Sequence, residues 1–256
     1  MKTILITGST SGIGLGIARE FAATKKYHIV FNGLEANGQE IAEAIGKEHV
    51  IEVMFSNANM LKPAELRKMV EDAISKFGKI DVLINNAGIQ HVSPIDEFPD
   101  EKWTAIIGIN LTSAFYLSKA VWPGMKERKF GRIINIASAH GLVASEFKSA
   151  YVASKHGIVG FTKTLALEGA PFNITCNAIC PGYVKTPLVE KQIGDQAKAH
   201  NMSAEEVVNK VLLLKQAVKQ FVPVEILGQM ALMLASDGAS TITGTAIPID
   251  GGWNAQ

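Results

Sequence analysis

The chain has 256 residues, of which 47% are hydrophobic and 19% are charged, and this balance excludes a disordered protein. Its 25 basic and 24 acidic residues form no basic stripe, which argues against a nucleic-acid partner. The apolar run at the N-terminus is too short for a signal peptide, and no run approaches the ~20 residues of a membrane span. We therefore expect one α/β domain that is soluble and cytoplasmic, with no membrane partner.

Short apolar runs alternate along the chain with segments of helical periodicity, such as residues 64–77. Runs that are apolar throughout are typical of parallel strands covered by helices on both faces. The alternation predicts a single-domain, doubly wound parallel sheet of the Rossmann type over residues 1–256. The predicted strands are residues 3–7, 28–32, 50–55, 81–85, 132–136, 174–179 and 245–249.

A glycine-rich loop follows the first predicted strand and begins a helix. Its glycines, Gly8, Gly12 and Gly14, allow a tight turn and the close approach of a pyrophosphate to the helix N-terminus. The acidic residue usual at the end of the second strand is missing, which leaves Asn32 or backbone groups for the adenosine ribose. Because no Arg or Lys is placed to pair with a 2′-phosphate, we expect NAD rather than NADP.

Tyr151 and Lys155 are four residues apart, so a helix would place both on one face. A phenol has a pKa of about 10. To lower that pKa by about three units, a neighbouring cation would have to stabilise the phenolate relative to the phenol by roughly 4 kcal/mol. Ser138, thirteen residues before Tyr151, adds a hydroxyl that can hydrogen-bond a substrate oxygen. A Tyr–Lys pair with this spacing is common on amphipathic helices, so the pair alone does not indicate a catalytic site, and other motifs of the chain must support one.

Two cysteines, Cys176 and Cys180, fall in one predicted strand. Four strand residues separate them by roughly 13 Å, beyond the ~7 Å limit for a disulfide. No second pair of Cys or His has zinc-site spacing, so no metal is expected. We predict two buried free thiols.

Mixed-charge helical sequence at about residues 187–222 interrupts the strand–helix alternation. An insertion of this kind after a strand is typical of a lid over a ligand site. Packing on the rim of the domain is the alternative. We predict a helical substrate lid.

The ordered motifs resemble the short-chain dehydrogenase/reductase family over essentially the whole chain. They are the glycine loop, Asn85-Asn86-Ala87-Gly88, Asn110, Ser138, YxxxK at 151–155, Pro181-Gly182 and the terminal Asp250-Gly251-Gly252-Trp253. Residues 85–91, 131–145 and 180–193 are similar to the branch of this family that oxidises D-3-hydroxybutyrate in bacteria. The resemblance implies hydride transfer to a nicotinamide cofactor and a homotetramer.

The resemblance also implies a catalytic tetrad of Asn110, Ser138, Tyr151 and Lys155. Tyr151 would be the general base, and Lys155 would lower the Tyr151 pKa and hold the nicotinamide ribose. Ser138 would orient the reacting oxygen, and Asn110 would support a water relay. The cofactor residues implied by the motifs are Gly8, Thr10, Ser11, Gly12, Ile13, Gly14, Asn59, Met60, Asn86, Ala87, Gly88, Tyr151, Lys155, Pro181, Gly182 and Val184.

Substrate residues are expected where strands end. Ser138 and His140, two residues apart, would point to the same side if the chain stays extended. Lys148 precedes Ser149, a predicted helix cap, and a cation disfavoured at a helix N-terminus is expected to face an anionic ligand. By resemblance a short hydroxy acid would have its carboxylate held by Gln90, His140, Lys148 and Gln192, with Ser138, Tyr151, Tyr183 and Trp253 completing the substrate site.

Two positions depart from the family pattern. Asn59 stands where an aspartate often meets the adenine amine, and Tyr183 replaces a tryptophan of similar enzymes. Two other functions remain open: a reductase of 3-ketoacyl thioesters, which expects a basic NADPH site and an open groove, and a nucleotide-sensing module without catalysis. The intact tetrad argues against the second, and the expected carboxylate cluster argues against the first.

Overall fold

The structure, a computed structural model, describes residues 1–186, 189–190, 193, 197 and 202–255. Within these residues seven strands form one sheet in the order β3-β2-β1-β4-β5-β6-β7, and every neighbouring pair is parallel. The predicted doubly wound sheet is confirmed. The strands are β1 (Lys2–Ile6), β2 (Tyr27–Asn32), β3 (Val53–Ser56), β4 (Val82–Asn85), β5 (Gly131–Ile136), β6 (Ile174–Pro181) and β7 (Ala246–Ile249).

Helices cover both faces of this sheet. Successive residues of β1 alternate: Ile4 and Ile6 pack with one buried cluster and Leu5 with another. The first cluster includes side chains of α1, α2 and α8, and the second includes side chains of α3, α5 and α6. In chain order the helices described are α1 (Gly12–Ala23), α2 (Gly38–His49), α3 (Pro63–Phe77), α4 (Asp100–Ile107), α5 (Ser113–Arg128), α6 (Ser149–Gly169), α7 (Ala204–Val207) and α8 (Val224–Ala235).

One predicted strand boundary differs from the structure by three residues, and the others differ by at most two. The third strand begins at Val53 rather than at residue 50, because Val50 adopts a left-handed conformation (φ 57°) that ends α2. A left-handed residue closes a helix and reverses the chain before the strand begins. The predicted helix 64–77 is confirmed as α3, and Cys176 and Cys180 are buried free thiols as expected.

The predicted lid lies only partly within the described residues. Its last part contains α7, which continues into a π-helical turn, Val208–Leu212. An irregular strap, residues 213–222, follows, and its Val222 pairs with Val184 in the segment after β6. In the portion of the chain that can be described, no helix is long and apolar enough to cross a bilayer.

Candidate active site

A groove of about 600 Å³ lies where strands β1 to β5 end. The carboxyl ends of parallel strands form the ligand crevice of this sheet type. Eleven of the predicted cofactor residues line the groove: Gly8, Ser11, Gly12, Ile13, Asn59, Met60, Asn86, Ala87, Gly88, Tyr151 and Lys155. Of the others, Thr10, Gly14 and Pro181 lie outside its lining, and Gly182 and Val184 line a smaller adjoining pocket.

The glycine loop has the backbone that a pyrophosphate site needs. Gly8 and Gly12 have φ values of 59° and 52°, in the left-handed region. A Cβ on Gly14 would lie 2.2 Å from the Gly8 carbonyl oxygen, so only glycine permits this fold of the loop. The Ser11 side chain does not cap α1, which leaves the helix N-terminus facing the groove. These features fit a dinucleotide.

Glu35 is a residue of the groove that the sequence analysis missed. Its carboxylate accepts hydrogen bonds from the hydroxyls of Ser11 (2.8 Å) and Thr10. Partial burial raises the pKa of Glu35, but these two hydrogen bonds, together with backbone hydrogen bonds from Leu34 and Glu35, lower it, and its net pKa is below the ordinary value. An anionic side chain therefore lies beside the glycine loop.

The loop after β2 explains how Glu35 reaches that position. Gly33 approaches Thr10 so closely that a Cβ would lie 1.8 Å from the Thr10 hydroxyl, and the chain can turn back there. Asn32 is buried and bonds protein groups: it accepts from the Gly8 N–H and donates to the carbonyls of Ser56 and Ala58. Asn32 therefore connects three loops. The acidic residue that the sequence analysis did not find at the end of the second strand is supplied by Glu35, three residues further along the chain.

Of the four predicted tetrad residues, Tyr151 and Lys155 line the groove, and Tyr151 and Ser138 line the smaller adjoining pocket. Lys155 Nζ is 5.6 Å from the Tyr151 ring centre and donates to the Ile136 carbonyl at 2.8 Å. Ser138 hydrogen-bonds Tyr151. Asn110 lies in a π-helical turn between α4 and α5, a local widening that often marks functional sites.

Both ends of the Asn110 side-chain amide form hydrogen bonds with neighbouring residues. Its Oδ1 accepts from the Ile89 N–H at 2.9 Å, and its Nδ2 donates to the Ile89 carbonyl and to the Ser154 hydroxyl. Ser154 in turn donates to the Tyr151 carbonyl at 2.8 Å. Asn110 thereby connects the loop after β4 with the helix that bears Tyr151 and Lys155.

Burial shifts the pKa values of both Tyr151 and Lys155 in this site. Desolvation raises the pKa of Tyr151, with the Ser138 hydrogen bond opposing that shift. The net shift of the Tyr151 pKa is therefore upward, opposite to the predicted lowering, because desolvation by burial is its largest cause. Burial also lowers the pKa of Lys155 to about 8.

A smaller pocket of about 120 Å³ adjoins the groove at Tyr151. Every predicted substrate residue within the described part of the chain lines it, namely Gln90, Ser138, His140, Lys148, Tyr151, Tyr183 and Trp253. Gln192 lies outside the described residues. Thr186, which the sequence analysis did not single out, lines both spaces and belongs to the segment that begins at Pro181-Gly182.

Ser138 and His140 share this pocket for a reason that was not predicted. The chain does not stay extended after β5, because Ala139–Gly141 form a 3₁₀ turn. The Ser138 hydroxyl accepts from the His140 N–H at 3.2 Å and lies 3.5 Å from His140 Nδ1. The turn, rather than strand alternation, brings the two side chains together.

His140 is held as a neutral ring. Burial lowers its pKa to about 3, and the positive charges of Lys148, Lys215 and His156 act in the same direction. Its Nε2 is 2.9 Å from the Ser145 hydroxyl, a partner that the sequence analysis missed. His140 can therefore give or accept a hydrogen bond in this pocket but brings no charge at neutral pH.

Lys148 is the cation in contact with the small pocket. It is half-buried, its Nζ donates to the Tyr183 hydroxyl at 3.2 Å, and burial lowers its pKa to about 8. The prediction that Ser149 caps α6 is wrong, because Ser149 is the first helical residue and Lys148 is the cap position. Lys148 therefore begins the helix and faces the pocket.

Two stacked aromatic rings close the far side of the pocket. The rings of Tyr183 and Trp253 are 5.9 Å apart and nearly parallel, at 9°. Trp253 also packs edge-on against His140, with the ring centres 4.9 Å apart. This aromatic wall confines the pocket to a small molecule.

Comparison with known proteins identifies the family. The sequence profile of the short chain dehydrogenases matches residues 2–197. This chain belongs to the short-chain dehydrogenase family. It is 51% identical over 257 residues to a D-beta-hydroxybutyrate dehydrogenase of Rhizobium meliloti, with 100% of this chain and 99% of that protein covered. A Cupriavidus necator protein of the same name is 52% identical, with 100% and 98% covered.

A solved short-chain dehydrogenase structure agrees in fold. A variant of actinorhodin polyketide ketoreductase with NADPH superposes with a TM-score of 0.93 at 32% identity, covering 100% of this chain and 98% of that one. The chain is therefore an oxidoreductase that uses a nicotinamide cofactor. The alternative of a nucleotide-sensing module without catalysis is wrong.

Proposed function

We propose that this short-chain dehydrogenase oxidises (R)-3-hydroxybutyrate to acetoacetate with NAD and catalyses the reverse reduction. The main support for the proposal is that one small pocket is lined by Lys148 together with Ser138 and Tyr151. It offers a cation for one end of a short hydroxy acid and a proton-transfer group for the other. The printed names of the two relatives that are about half identical over their full length support the same substrate.

The proposed reaction assigns one task to each tetrad residue. Tyr151 takes the proton of the substrate hydroxyl during oxidation and returns it during reduction, with Ser138 hydrogen-bonding the same oxygen. When bound, the nicotinamide cofactor supplies the hydride acceptor and, in its oxidised form, a positive charge that favours a nearby phenolate. Lys155 binds the cofactor ribose at the groove, and Asn110 fixes the loop after β4 and the Tyr151 helix.

Gln90, His140 and Lys148 are proposed to bind the substrate carboxylate. Lys148 provides the charge and His140 a neutral hydrogen bond. Within the described structure, the Gln90 Nε2 is buried without a hydrogen-bond partner, which costs free energy unless a ligand oxygen accepts from it. Gln192 remains a prediction for the fourth partner.

The substrate class is tested by steady-state assays that compare 3-hydroxybutyrate with 3-ketoacyl thioesters, each with both cofactors. We expect turnover of the free acid with NAD and little turnover of the thioesters. A pocket of about 120 Å³ closed by Tyr183 and Trp253 has no room for a long acyl arm. A higher kcat/KM for the thioesters with NADPH would replace this proposal with the ketoacyl reductase function.

We expect NAD to be preferred over NADP by at least about tenfold in kcat/KM, because Glu35 would lie near a 2′-phosphate and repel it. Glu35→Gln should reduce the preference for NAD by raising kcat/KM for NADP. The measurement is the Kd and kcat/KM for both cofactors, and Glu40→Gln on α2 is the control because that carboxylate does not line the groove. An unchanged NAD/NADP ratio in Glu35→Gln would show that another group selects the cofactor.

Carboxylate binding should weaken as pH rises through about 8. Lys148 is protonated below its pKa of about 8 and binds an anion there, and above that pH the neutral amine loses the attraction. The inhibition constant of a non-reactive short carboxylate, measured from pH 6.5 to 9.5, should therefore rise. Lys148→Arg should keep a nearly flat profile, because guanidinium stays charged, and a wild-type profile equally flat would contradict the assignment.

We also infer a homotetramer in the cytoplasm from the family resemblance. Light scattering on a size-exclusion column measures the assembly directly, and a monomer mass would contradict it.

A further inference from the structure

We propose that Gln216 is a positioning residue that sets the Tyr183–Trp253 wall of the substrate pocket, because its amide bonds the Tyr183 backbone and fixes the turn of the strap that packs against Gly251. Gln216 belongs to the strap, residues 213–222, and its side chain is completely buried. A glutamine is mostly found on protein surfaces, so a fully buried one needs partners for both ends of its amide.

The amide finds those partners in the backbone. Its Oε1 accepts from the Tyr183 N–H at 3.0 Å, and its Nε2 donates to the carbonyls of Gln220 (2.8 Å) and Val218 (3.3 Å). One end therefore anchors Tyr183, and the other fixes the turn of the strap itself. A methionine of similar length could fill the space but could not bond either side.

The loops on both sides are shaped around this amide. A Cβ on Gly182 would lie 2.7 Å from Gln216 Oε1, and a Cβ on Gly251 would lie 2.9 Å from Nε2. Gly251 adopts φ 63°, in the left-handed region that favours glycine. The amide thus lies between the residue that precedes Tyr183 and the turn that leads to Trp253.

Backbone hydrogen bonds extend the same connection. The Val218 N–H donates to the Gly251 carbonyl, and the Val222 N–H donates to the Tyr183 carbonyl, both at 2.8 Å. Tyr183 is consequently held on both its N–H and its carbonyl by the strap. Because its ring stacks on Trp253 and its hydroxyl accepts from Lys148, a shift of the Tyr183 backbone would move the wall and the Lys148 amine together.

The kinetic test rests on the proposed function and uses Gln216→Met. We expect KM for 3-hydroxybutyrate to rise about tenfold and kcat to change less than about threefold. The KM rises because displacing Tyr183 and the Lys148 amine weakens the binding of the substrate. The Kd for NAD should change less than the KM, since Tyr183 and its neighbours Gly182 and Val184 line the small pocket and not the groove. Gln220→Met is the matched control, because the Gln220 side chain is exposed and its contribution to the amide is a backbone carbonyl.

A second readout does not depend on the substrate. In a background with Trp103 and Trp122 replaced by Phe, the emission of Trp253 reports on the wall alone. Trp253 is 7% exposed, so loosening the wall in Gln216→Met should shift its emission to longer wavelength and increase its quenching by acrylamide. Gln220→Met should leave both unchanged.

The outcomes separate the two proposals. If the wild type does not oxidise 3-hydroxybutyrate but Gln216→Met alters Trp253 emission, the substrate is wrong and the positioning role stands. If KM and Trp253 emission both stay at wild-type values in a folded variant, the positioning role is overturned. Gln216→Asn, which keeps the amide but shortens its reach, gives the same test if the methionine variant does not fold. A loss of thermal stability alone, with KM unchanged, also overturns it.

Discussion

Replacing Tyr151 by Phe is expected to lower kcat by about 10²–10⁴-fold, the usual contribution of a positioned acid or base. The change removes one oxygen and leaves the ring, the helix and the Ser138 hydroxyl in place. Both substrate and cofactor should therefore still bind, and the loss should appear in kcat and kcat/KM together. Stopped assays with high enzyme concentration, in both reaction directions, measure a residual rate of this size.

The control for this variant is Tyr27→Phe. Tyr27 is also a buried phenol whose pKa is raised by burial, but it begins β2 at the opposite end of the strands from the groove. Tyr27→Phe therefore measures how much stability is lost when a buried phenol oxygen is removed outside the active site. If Tyr151→Phe keeps more than about a tenth of the wild-type kcat, another group transfers the proton.

The raised pKa of Tyr151 sharpens the same prediction. A neutral phenol is ready to donate a proton to a ketone, so reduction of acetoacetate needs no prior ionisation of Tyr151. Oxidation needs the phenolate, which a positively charged nicotinamide ring would favour. At saturating substrate, we therefore expect kcat for oxidation to rise toward alkaline pH and kcat for reduction to fall. Tyr151→Phe should remove both of these dependences of kcat.

The sheet could be predicted from the sequence because each strand is a short run of apolar residues between helical segments. Burial on both faces leaves little freedom in such a run, so the pattern and the strand nearly coincide. The error at β3 arose because Val50, an apolar β-branched residue, serves as a left-handed helix end. Local composition does not reveal a backbone conformation that the surrounding chain imposes.

The site was predictable where spacing along one element sets the geometry. Tyr151 and Lys155 are neighbours because both lie in α6, and the pocket residues follow strands that end at one edge. Glu35 and Gln216 were missed because their positions depend on loops. Glu35 reaches the glycine loop through a turn at Gly33, and Gln216 is buried by segments more than thirty residues away in sequence.

Charge states were the least predictable feature. The sequence analysis predicted that both His140 and Lys148 bind a carboxylate, but the buried His140 is neutral. Burial depends on how closely three or four elements pack, which residue types alone do not determine. Among the described residues that line the pocket, Lys148 is the one with a positive charge at neutral pH, so the next prediction is larger than it would be for a site that shares its charge with His140.

Lys148→Ala is expected to raise KM for 3-hydroxybutyrate by at least about tenfold, because a charge-assisted hydrogen bond contributes roughly 1.5–3 kcal/mol, or one to two decades in affinity. Binding of NAD should barely change, since Lys148 lines the small pocket and not the groove. Initial rates over a range of substrate concentrations measure KM, and a fluorescence titration measures the Kd for NAD.

Lys185→Ala is the matched control for charge. Lys185 lies two residues beyond Tyr183 on an exposed part of the same loop and pairs with Glu190 at 3.9 Å, so its removal changes the net charge without emptying the pocket. Its KM for 3-hydroxybutyrate should remain within about twofold of wild type, because surface ion pairs contribute little. A similar rise in both variants would indicate long-range attraction of the anion rather than contact in the pocket.

The methyl ester of 3-hydroxybutyrate separates charge from shape. The ester keeps the hydroxyl and most of the carbon skeleton but cannot pair with Lys148, so the wild type should turn it over poorly. Removing Lys148 should cost the ester little, because the lost interaction was absent from the start. A wild type that uses ester and acid equally well, or a Lys148→Ala variant that loses both equally, would contradict the carboxylate pocket and favour a ketoacyl substrate, whose thioester carries no charge at this position.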